Sequence, residues 1–208
     1  MKSTVLDHPL AAAHLTELRD ESTTTPRFRQ RVDGLARALA WEAARYLATE
    51  ECTVTTPVAD AQGVRLSGAP PVLVPVLRAG VWMVDGALSI VPDADVAFVG
   101  LARDEATLRA VTYLDKLPAD VDHRDVWILD PMLATGGSLV AVAEMLATRR
   151  PGPVTVLSLL AAPEGLLRLR EEPACDDWHV VCASIDEGLN EKGFIVPGLG
   201  DAGDRLSG

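Results

Sequence analysis

The chain has 208 residues, 48% of them apolar, and 30 acidic against 19 basic residues give it a net charge of −11. This length predicts a single domain over residues 1–208, with a core large enough to need neither disulfides nor a structural metal. The charge argues against nucleic acid and anionic membranes as partners, because phosphate-rich surfaces attract clustered Lys and Arg.

The sequence shows no pattern typical of export or of a membrane anchor. Residues 1–5 lack the apolar run of a signal peptide, and no apolar stretch reaches the roughly 20 residues of a membrane helix. Cys52, Cys175 and Cys182 are far apart and form no C-x-x-C pair, so reduced thiols are expected and a zinc site is not. We expect a cytoplasmic protein.

Two helices are predicted near the amino terminus. The first runs from His8 to about Arg19, with Pro9 in its first turn. Thr25 and Pro26 are suited to the N-cap and first position of a second helix, which continues through Trp41 towards residue 47. Its buried stripe is expected from residues at helical spacing, which are Phe28, Val32, Leu35 and Leu39.

After the helices, apolar strands alternate with helical segments. Residues 52–58 predict a strand with which 64–66 can pair. Further strands are predicted over 72–76, 96–101, 126–129, 154–160 and 179–183, and helices over 80–90, 138–148 and 164–171. Continuous apolar strands alternating with helices indicate an α/β fold with a mostly parallel twisted sheet and helices on both faces.

Two segments do not fit this alternation. Residues 103–116 are polar with weak period-two patterning, which predicts a hairpin or a mobile flap. Residues 187–208 are rich in Gly and Asp and predict a structured loop. Ligands of open α/β sheets bind beyond the carboxyl ends of the strands, so both segments are candidates for binding.

The stretch from Val126 to Ser138 indicates a sugar-phosphate site. An apolar strand ends at Asp130, and a short loop then leads to Thr135-Gly136-Gly137-Ser138. Free amides at a helix amino terminus bind phosphate, and the glycines allow close approach. Thr135 and Ser138 can add hydroxyl donors, and Asp130 can accept hydrogen bonds from ribose hydroxyls. The alternative is an ordinary strand-to-helix turn; a P-loop would need a Lys after the glycines.

Two arginines follow neighbouring strands and suit a pyrophosphate, because a guanidinium holds anionic oxygens in pairs. They are Arg78 and Arg103, each of which could instead be a surface ion-pair partner. The segment 198–203 matches G-x-G-x-x-G, but too few residues follow it for a dinucleotide-binding unit. Asp186 and Glu187 are expected to be solvated or structural. Four apolar residues are expected in the core, namely Trp82, Met83, Leu88 and Ile90.

The phosphate segment resembles the uracil phosphoribosyltransferase branch of the type I phosphoribosyltransferases. Most of that class carry two adjacent acids, whereas here Pro131 takes the second position, in D-P-M-L-A-T-G-G-S. The resemblance runs from Asp7 to the end of the chain. Three further motifs share it: V-P-V-L-R-A-G over 74–80, A-A-P-E-G over 161–165 and G-F-I-V-P-G-L-G-D-A-G-D over 193–204.

The resemblance implies a type I phosphoribosyltransferase fold with a flap and a carboxyl-terminal base-binding loop. It implies an enzyme that makes UMP and pyrophosphate from uracil and phosphoribosyl pyrophosphate, in pyrimidine salvage. The implied catalytic residues are Asp130, Arg103 and Asp201. The implied ligands of phosphoribosyl pyrophosphate are Arg78, Arg103, Asp130, Pro131, Met132, Leu133, Ala134, Thr135, Gly136, Gly137, Ser138 and Asp201. The implied contacts to uracil are Ile195, Gly200, Asp201 and Ala202.

The resemblance also implies Mg²⁺ held through the substrate without direct protein ligands, a homodimer or larger homo-oligomer, and GTP as a possible effector. Trp82, Arg109-Ala110 and Phe194 depart from the family's small residue, Glu-Pro and Tyr. The sequence is compatible with two alternative functions. One is a transferase for another nucleobase, and the other is a non-catalytic regulator that senses phosphoribosyl pyrophosphate or a nucleotide.

Overall fold

The structure is a computed structural model that describes residues 1–103, 110–119 and 121–208. Its strands are Lys2–Val5 (β1), Thr49–Thr55 (β2), Asp60–Leu66 (β3), Val72–Leu77 (β4), Asp95–Val96 (β5), Val99–Arg103 (β6), Ala110–Asp115 (β7), Val126–Leu129 (β8), Met132–Leu133 (β9), Val154–Ala161 (β10), His179–Ile185 (β11), Gly188–Leu189 (β12) and Ile195–Val196 (β13). Its α-helices are Pro9–Arg19 (α1), Thr25–Ala44 (α2), Val84–Leu88 (α3), Gly137–Ala147 (α4), Pro163–Arg170 (α5) and Ala202–Ser207 (α6), and 3₁₀ turns cover Ala79–Met83 and Pro173–Cys175.

One nine-stranded sheet organises the molecule. Its order is β1-β11-β10-β8-β4-β6-β7, with β5 beside β4 and β9 beside β10. Every pair is parallel except β6 with β7. The predicted, mostly parallel sheet is therefore confirmed. The segment predicted as a hairpin or flap is a hairpin where it is described, and residues 104–109 lie outside the described residues.

Apolar side chains alternate between the two faces of the sheet. Along β4, Val72 and Val74 point to one side and Leu73 points to the other. The Leu73 side packs under α1, α2 and α3, and the Val72 side packs under α4 and α5. Strands that are buried on both faces consist of unbroken apolar runs, which is why the sequence predicts them.

The second helix is close to its prediction. All four residues of the expected stripe, from Phe28 to Leu39, have no exposed surface. The N-cap is Thr24 rather than Thr25, so Pro26 lies within the first turn. The helix ends at Ala44 instead of near residue 47, and Trp41 faces outward with 70% of its surface exposed.

The single helix predicted over 80–90 is wrong. A 3₁₀ turn over Ala79–Met83 precedes the short α3, because the chain passes tightly over the end of β8. A Cβ on Gly80 would lie 2.2 Å from the carbonyl oxygen of Leu129. Met83 is fully buried as expected, but Trp82 is 37% exposed, with the Arg29 guanidinium 4.4 Å from its ring centroid.

Several elements have no counterpart among the sequence-based expectations, and β1 and α6 are two of them. The polar β1 pairs in parallel with β11, and α6 lies inside the predicted carboxyl-terminal loop. The predicted pairing near residues 52–66 is confirmed as the antiparallel hairpin β2–β3. All three cysteines are free thiols. In the part of the chain that the structure describes, no helix has the length and apolar character to cross a membrane.

Candidate active site

The phosphate loop, residues 130–138, is shaped by a turn that only glycine makes easily. β8 ends at Leu129, β9 pairs with β10 at Leu160 and Ala161, and the loop then turns at Gly136 into α4. Gly136 has a φ of +77°, and a Cβ there would lie 3.0 Å from the carbonyl oxygen of Gly165. α4 starts directly after this left-handed turn, and its first-turn amides have no partner within the helix.

A cavity of about 330 Å³ lies in front of these amides. Asp130 and the whole run from Met132 to Leu139 line it, together with Leu101 and Ala102 at the end of β6 and Gly193 from the carboxyl-terminal segment, residues 187–208. A Cβ on Gly137 would meet only the Thr135 hydroxyl oxygen, at 3.8 Å, so the space beside this amide is open. This combination of free amides, helix dipole and open space suits a phosphate.

Asp130 is held at the floor of the site by the strand before it. Its amide donates to the carbonyl oxygen of Leu157 at 3.2 Å, and its carboxylate accepts from the amide of Met132 at 3.4 Å. Burial raises the pKa of Asp130 to about 6, against a smaller lowering by the Met132 amide. The group is therefore mostly ionised at neutral pH and can accept hydrogen bonds from hydroxyl groups.

A second cavity of about 470 Å³ adjoins the first. The two share Leu101, Asp130, Met132, Ala134 and Gly193, so they form one continuous cleft. The other residues that line the second cavity come from the start of the 3₁₀ turn and from the carboxyl-terminal segment. They are Arg78, Ala79, Lys192, Phe194, Ile195, Gly200, Asp201, Ala202 and Gly203.

Tight packing and left-handed glycines fix the backbone of the carboxyl-terminal segment. Gly198 and Gly200 have φ values of +63° and +80°, and a Cβ on Gly198 would lie 2.1 Å from the carbonyl oxygen of Ile195. The Asp201 carboxylate caps α6 by accepting from the amide of Asp204 at 3.0 Å. The segment therefore presents backbone groups of defined orientation to the cleft.

Arg205 anchors this segment to the amino-terminal helices. Its guanidinium donates to the carbonyl oxygens of Leu199 at 2.9 Å, of Asp20 at 2.6 Å and of Leu18. It also lies 4.3 Å from the ring centroid of Phe28. These contacts hold α6 against α1 and α2. They thereby fix the part of the chain that lines the second cavity.

Most of the predicted site residues line this one cleft. They are Arg78, Asp130, Met132, Leu133, Ala134, Thr135, Gly136, Gly137, Ser138, Ile195, Gly200, Asp201 and Ala202.

Two predicted site residues do not line the cleft in the described structure. Pro131 is buried, and its carbonyl oxygen accepts from the amides of Leu159 at 3.0 Å and Leu160 at 3.2 Å. The side chain of Arg103 lies outside the described residues. The backbone of Arg103 ends β6, which lies parallel to β4, so it leaves the sheet at the same edge as Arg78.

Sequence reasoning missed Lys192, Phe194 and Leu101 as lining residues. In the sequence, Phe194 was notable only because the family has Tyr at this position. Lys192 belongs to no motif, and it lines the cleft because it lies in the turn between β12 and β13. Asp186 is structural, which is one of the two alternatives expected for it. It forms an ion pair with Arg19 at 2.6 Å.

The parallel sheet, the glycine turn behind an acidic strand end and the opposed carboxyl-terminal segment define a type I phosphoribosyltransferase. A solved structure of a protein from Aquifex aeolicus superposes with a TM-score of 0.89 at 40% identity, covering 98% of this chain and 97% of that one. Residues 5–208 match the family model described as uracil phosphoribosyltransferase.

Curated relatives agree over the full length. A uracil phosphoribosyltransferase of Pseudarthrobacter chlorophenolicus is 51% identical over 208 residues, covering all of this chain and 99% of the relative. One of Kineococcus radiotolerans is 53% identical over 211 residues, with the same coverage of both chains. The chain belongs to the uracil phosphoribosyltransferase family.

Proposed function

We propose that this enzyme transfers the phosphoribosyl group of phosphoribosyl pyrophosphate to uracil, giving UMP and pyrophosphate in pyrimidine salvage. One observation carries the proposal: the glycine-rich phosphate loop and the carboxyl-terminal segment line two cavities that merge through five shared residues. A nucleotide is a phosphate, a sugar and a base in a row, and the cleft offers surfaces suited to each. Membership of the uracil phosphoribosyltransferase family supports the choice of base.

The phosphate loop is suited to the 5-phosphate. Amides of Gly137 and Ser138 at the start of α4 and the hydroxyls of Thr135 and Ser138 supply donors, and Asp130 accepts from the ribose hydroxyls. Binding the non-reacting end of the substrate places the anomeric carbon at the junction of the two cavities. The binding energy of the phosphate then serves alignment of the reacting groups.

The carboxyl-terminal segment is suited to the base. Around Ile195, Gly200 and Ala202, the fixed backbone offers donors and acceptors that can match the imide edge of uracil. Cytosine carries an amino group where uracil carries a carbonyl oxygen, so the same backbone groups would be left unpaired. Asp201 lines the same cavity as Asp130 and these residues, so it can contact both the base and the sugar.

The reaction needs stabilisation of a departing pyrophosphate. As the bond to pyrophosphate breaks, negative charge grows on the leaving group and positive charge grows on the sugar. Arg78 on the cleft wall and Arg103 at the end of β6 are the cations proposed to receive the leaving group. Asp130 is mostly ionised at neutral pH, and its negative charge favours the positive charge that grows on the ribose.

Mg²⁺ is the cofactor we propose, held through the oxygens of phosphoribosyl pyrophosphate. Among the described residues, no group of three or more His, Cys, Asp and Glu could hold a metal. Such a cluster is not needed, because Mg²⁺ in phosphate sites keeps several waters and is bound largely through the substrate phosphates. The cation would offset the charge of the pyrophosphate that the arginines also receive.

We further propose a cytoplasmic homodimer or larger homo-oligomer, with GTP as a possible effector. The hairpin β2–β3 supports assembly, because it exposes the apolar residues Val54, Val58, Val64 and Leu66. The GTP proposal is supported by the family resemblance alone.

The test is an assay of the purified protein with labelled uracil, phosphoribosyl pyrophosphate and Mg²⁺. We expect UMP and one pyrophosphate per UMP. A preference for hypoxanthine, guanine, adenine or orotate would identify a transferase for another base. Binding of phosphoribosyl pyrophosphate without release of pyrophosphate in the presence of any base would identify a sensor instead.

Substitution of Gly137 tests the phosphate loop. Gly137→Ala is expected to raise the Kd for ribose 5-phosphate by about 10-fold or more, because the methyl group occupies the open space beside the amide. The fold should tolerate the change, since the nearest contact is the Thr135 hydroxyl at 3.8 Å. Calorimetric titration measures the affinity, and thermal unfolding checks the fold.

Gly63→Ala is the matched control for Gly137→Ala. Gly63 lies in β3, and a Cβ there would meet only the Cys52 sulfur, at 4.0 Å. This variant should bind ribose 5-phosphate as the wild type does. Equal affinity of the Gly137→Ala variant and the control would contradict the assignment of the phosphate loop.

A further inference from the structure

Behind the carboxyl-terminal segment lies an ion pair that does not reach the cleft. Arg19, the last residue of α1, holds Asp186 in a fork, with Nη2 to Oδ1 at 2.6 Å and Nη1 to Oδ2 at 2.7 Å. The Asp186 side chain is 2% exposed and that of Arg19 is 26% exposed. Ser184 donates a further hydrogen bond to Asp186 at 2.8 Å, so the carboxylate is almost fully enclosed by donors.

Both partners of this pair also bind one residue of the carboxyl-terminal segment, Gly198. The amide of Gly198 donates to Asp186 Oδ2 at 2.9 Å, and Arg19 Nη1 donates to the carbonyl oxygen of Gly198 at 2.8 Å. The two polar groups of Gly198 are therefore bound from opposite ends of the same ion pair. Burial alone would raise the pKa of Asp186, but hydrogen bonds from Arg19, Ser184 and Gly198 outweigh it and hold the pKa below its usual value.

The position of Gly198 determines where the next residues of the segment lie. Its φ of +63° places the chain against Ile195, and two residues later Gly200 lines the cleft. A buried ion pair is weak support for stability by itself, because desolvation offsets much of its attraction. A pair that also binds both backbone groups of a neighbouring residue gives that residue a single position.

We propose that Arg19 and Asp186 are positioning residues for the nucleobase. They fix the backbone of Gly198, and through it the backbone of residues 199–202 that presents hydrogen-bonding groups to the base. The inference rests on the proposed function, because it deepens the account of uracil recognition. Neither residue touches the substrate; each acts through Gly198.

Arg19→Lys tests this role with the charge retained. A single ammonium cannot both pair with two carboxylate oxygens and bind the Gly198 carbonyl oxygen in the fork geometry of a guanidinium. We expect the Kd for UMP and the KM for uracil to rise by about 10-fold, since small misplacements of a binding surface weaken recognition strongly. The Kd for ribose 5-phosphate, which lacks the base, should change less than about twofold.

Asp186→Asn is a second variant of nearly the same size. Asn keeps one acceptor oxygen where Asp186 has two, so it cannot accept from Arg19, Ser184 and Gly198 as the carboxylate does, and the same selective loss of UMP affinity is expected. Arg31→Lys is the matched control. Arg31 pairs with Glu17 at 2.8 Å and is 15% exposed, yet it has no contact with the base-binding segment among the described hydrogen bonds.

The ratio of the Kd for ribose 5-phosphate to the Kd for UMP isolates the base. A fall in this ratio in Arg19→Lys and not in Arg31→Lys supports the inference. A wild-type ratio above one that neither Arg19→Lys nor Asp186→Asn changes overturns it and leaves the proposed function standing. Equal weakening of both ligands also overturns it, because the pair then supports only the fold. A wild-type ratio of one overturns the proposed function as well, since no base site would exist to position.

Discussion

Asp130→Asn is expected to lower kcat/KM for phosphoribosyl pyrophosphate by about 100-fold or more at neutral pH. In the proposed function the carboxylate accepts hydrogen bonds from ribose hydroxyls, and hydrogen bonds to a charged group contribute about 1.5–3 kcal/mol each. Loss of two such bonds corresponds to about a hundredfold or greater change. Initial rates of UMP formation at varied phosphoribosyl pyrophosphate measure the effect.

The same carboxylate predicts an acidic limb in the pH profile. Its pKa is raised to about 6 by burial, and only the ionised form accepts from both hydroxyls. kcat/KM for the wild type should therefore fall as pH drops through about 6. The Asp130→Asn variant should lack this limb, and the comparison separates the enzyme's group from ionisation of the substrate's own phosphates.

The contribution of Asp130 to the free energy of unfolding should change with pH in the opposite direction to kcat/KM. A raised pKa means that the folded protein binds this proton more tightly than the unfolded chain. Protonated Asp130 therefore stabilises the fold fully below the ordinary carboxyl pKa, and this contribution is lost as pH rises through about 6. A neutral amide avoids the burial of charge, so Asp130→Asn should be at least as stable as the wild type at pH 7 by urea unfolding.

Asp125→Asn is the control from the other end of the same strand. Asp125 precedes β8 as Asp130 follows it, and burial also raises its pKa. Its side chain faces the opposite edge of the sheet from the cleft, so kcat/KM should stay within about twofold of the wild type. Similar losses in the two variants, or none in either, would show that Asp130 does not bind the ribose.

For Arg103→Ala the expected loss is in turnover, with kcat reduced by about 100-fold. β6 lies beside β4 in parallel register, with Leu77 opposite Gly100, so Arg78 and Arg103 leave neighbouring strands at one edge. Charge on the leaving pyrophosphate grows only in the transition state, and removing one donor to such charge costs about 10²–10³ in rate. Saturating both substrates separates this effect from weaker binding.

Arg103→Lys and Arg65→Ala complete the comparison. A lysine keeps the positive charge without the planar fork and should recover part of the lost rate. Arg65 lies in β3 and pairs with Glu50 at 2.6 Å on the exposed hairpin, so its removal should leave kcat unchanged. A kcat for Arg103→Ala equal to that of Arg65→Ala would remove Arg103 from the site.

The fold was readable from the sequence where burial imposes a pattern. Strands covered on both faces must be apolar throughout, which exposed 126–129 and 154–160 as central strands. The phosphate loop was readable for a similar reason, since its left-handed turn at Gly136 requires a glycine next to a helix start. Local chemistry dictated these features.

Features that depend on contacts between residues far apart in the chain could not be predicted from the sequence. Nothing near Asp186 in the sequence points to Arg19, 167 residues away, and the expectation for Asp186 left solvated and structural roles open. The 3₁₀ turn at Ala79–Met83 depends on the close approach of Gly80 to the Leu129 carbonyl oxygen, which no helical pattern reveals. Lys192 reaches the cleft only because β12 and β13 pair.

A crystal structure with UMP bound would show directly whether the two ends of the cleft bind the phosphate and the base. We expect the 5-phosphate within hydrogen-bonding distance of the amides of Gly137 and Ser138, with the ribose hydroxyls on Asp130 and the uracil ring against Gly200 and Ala202. A UMP molecule whose phosphate lies away from the start of α4, or whose base points away from the carboxyl-terminal segment, would contradict it.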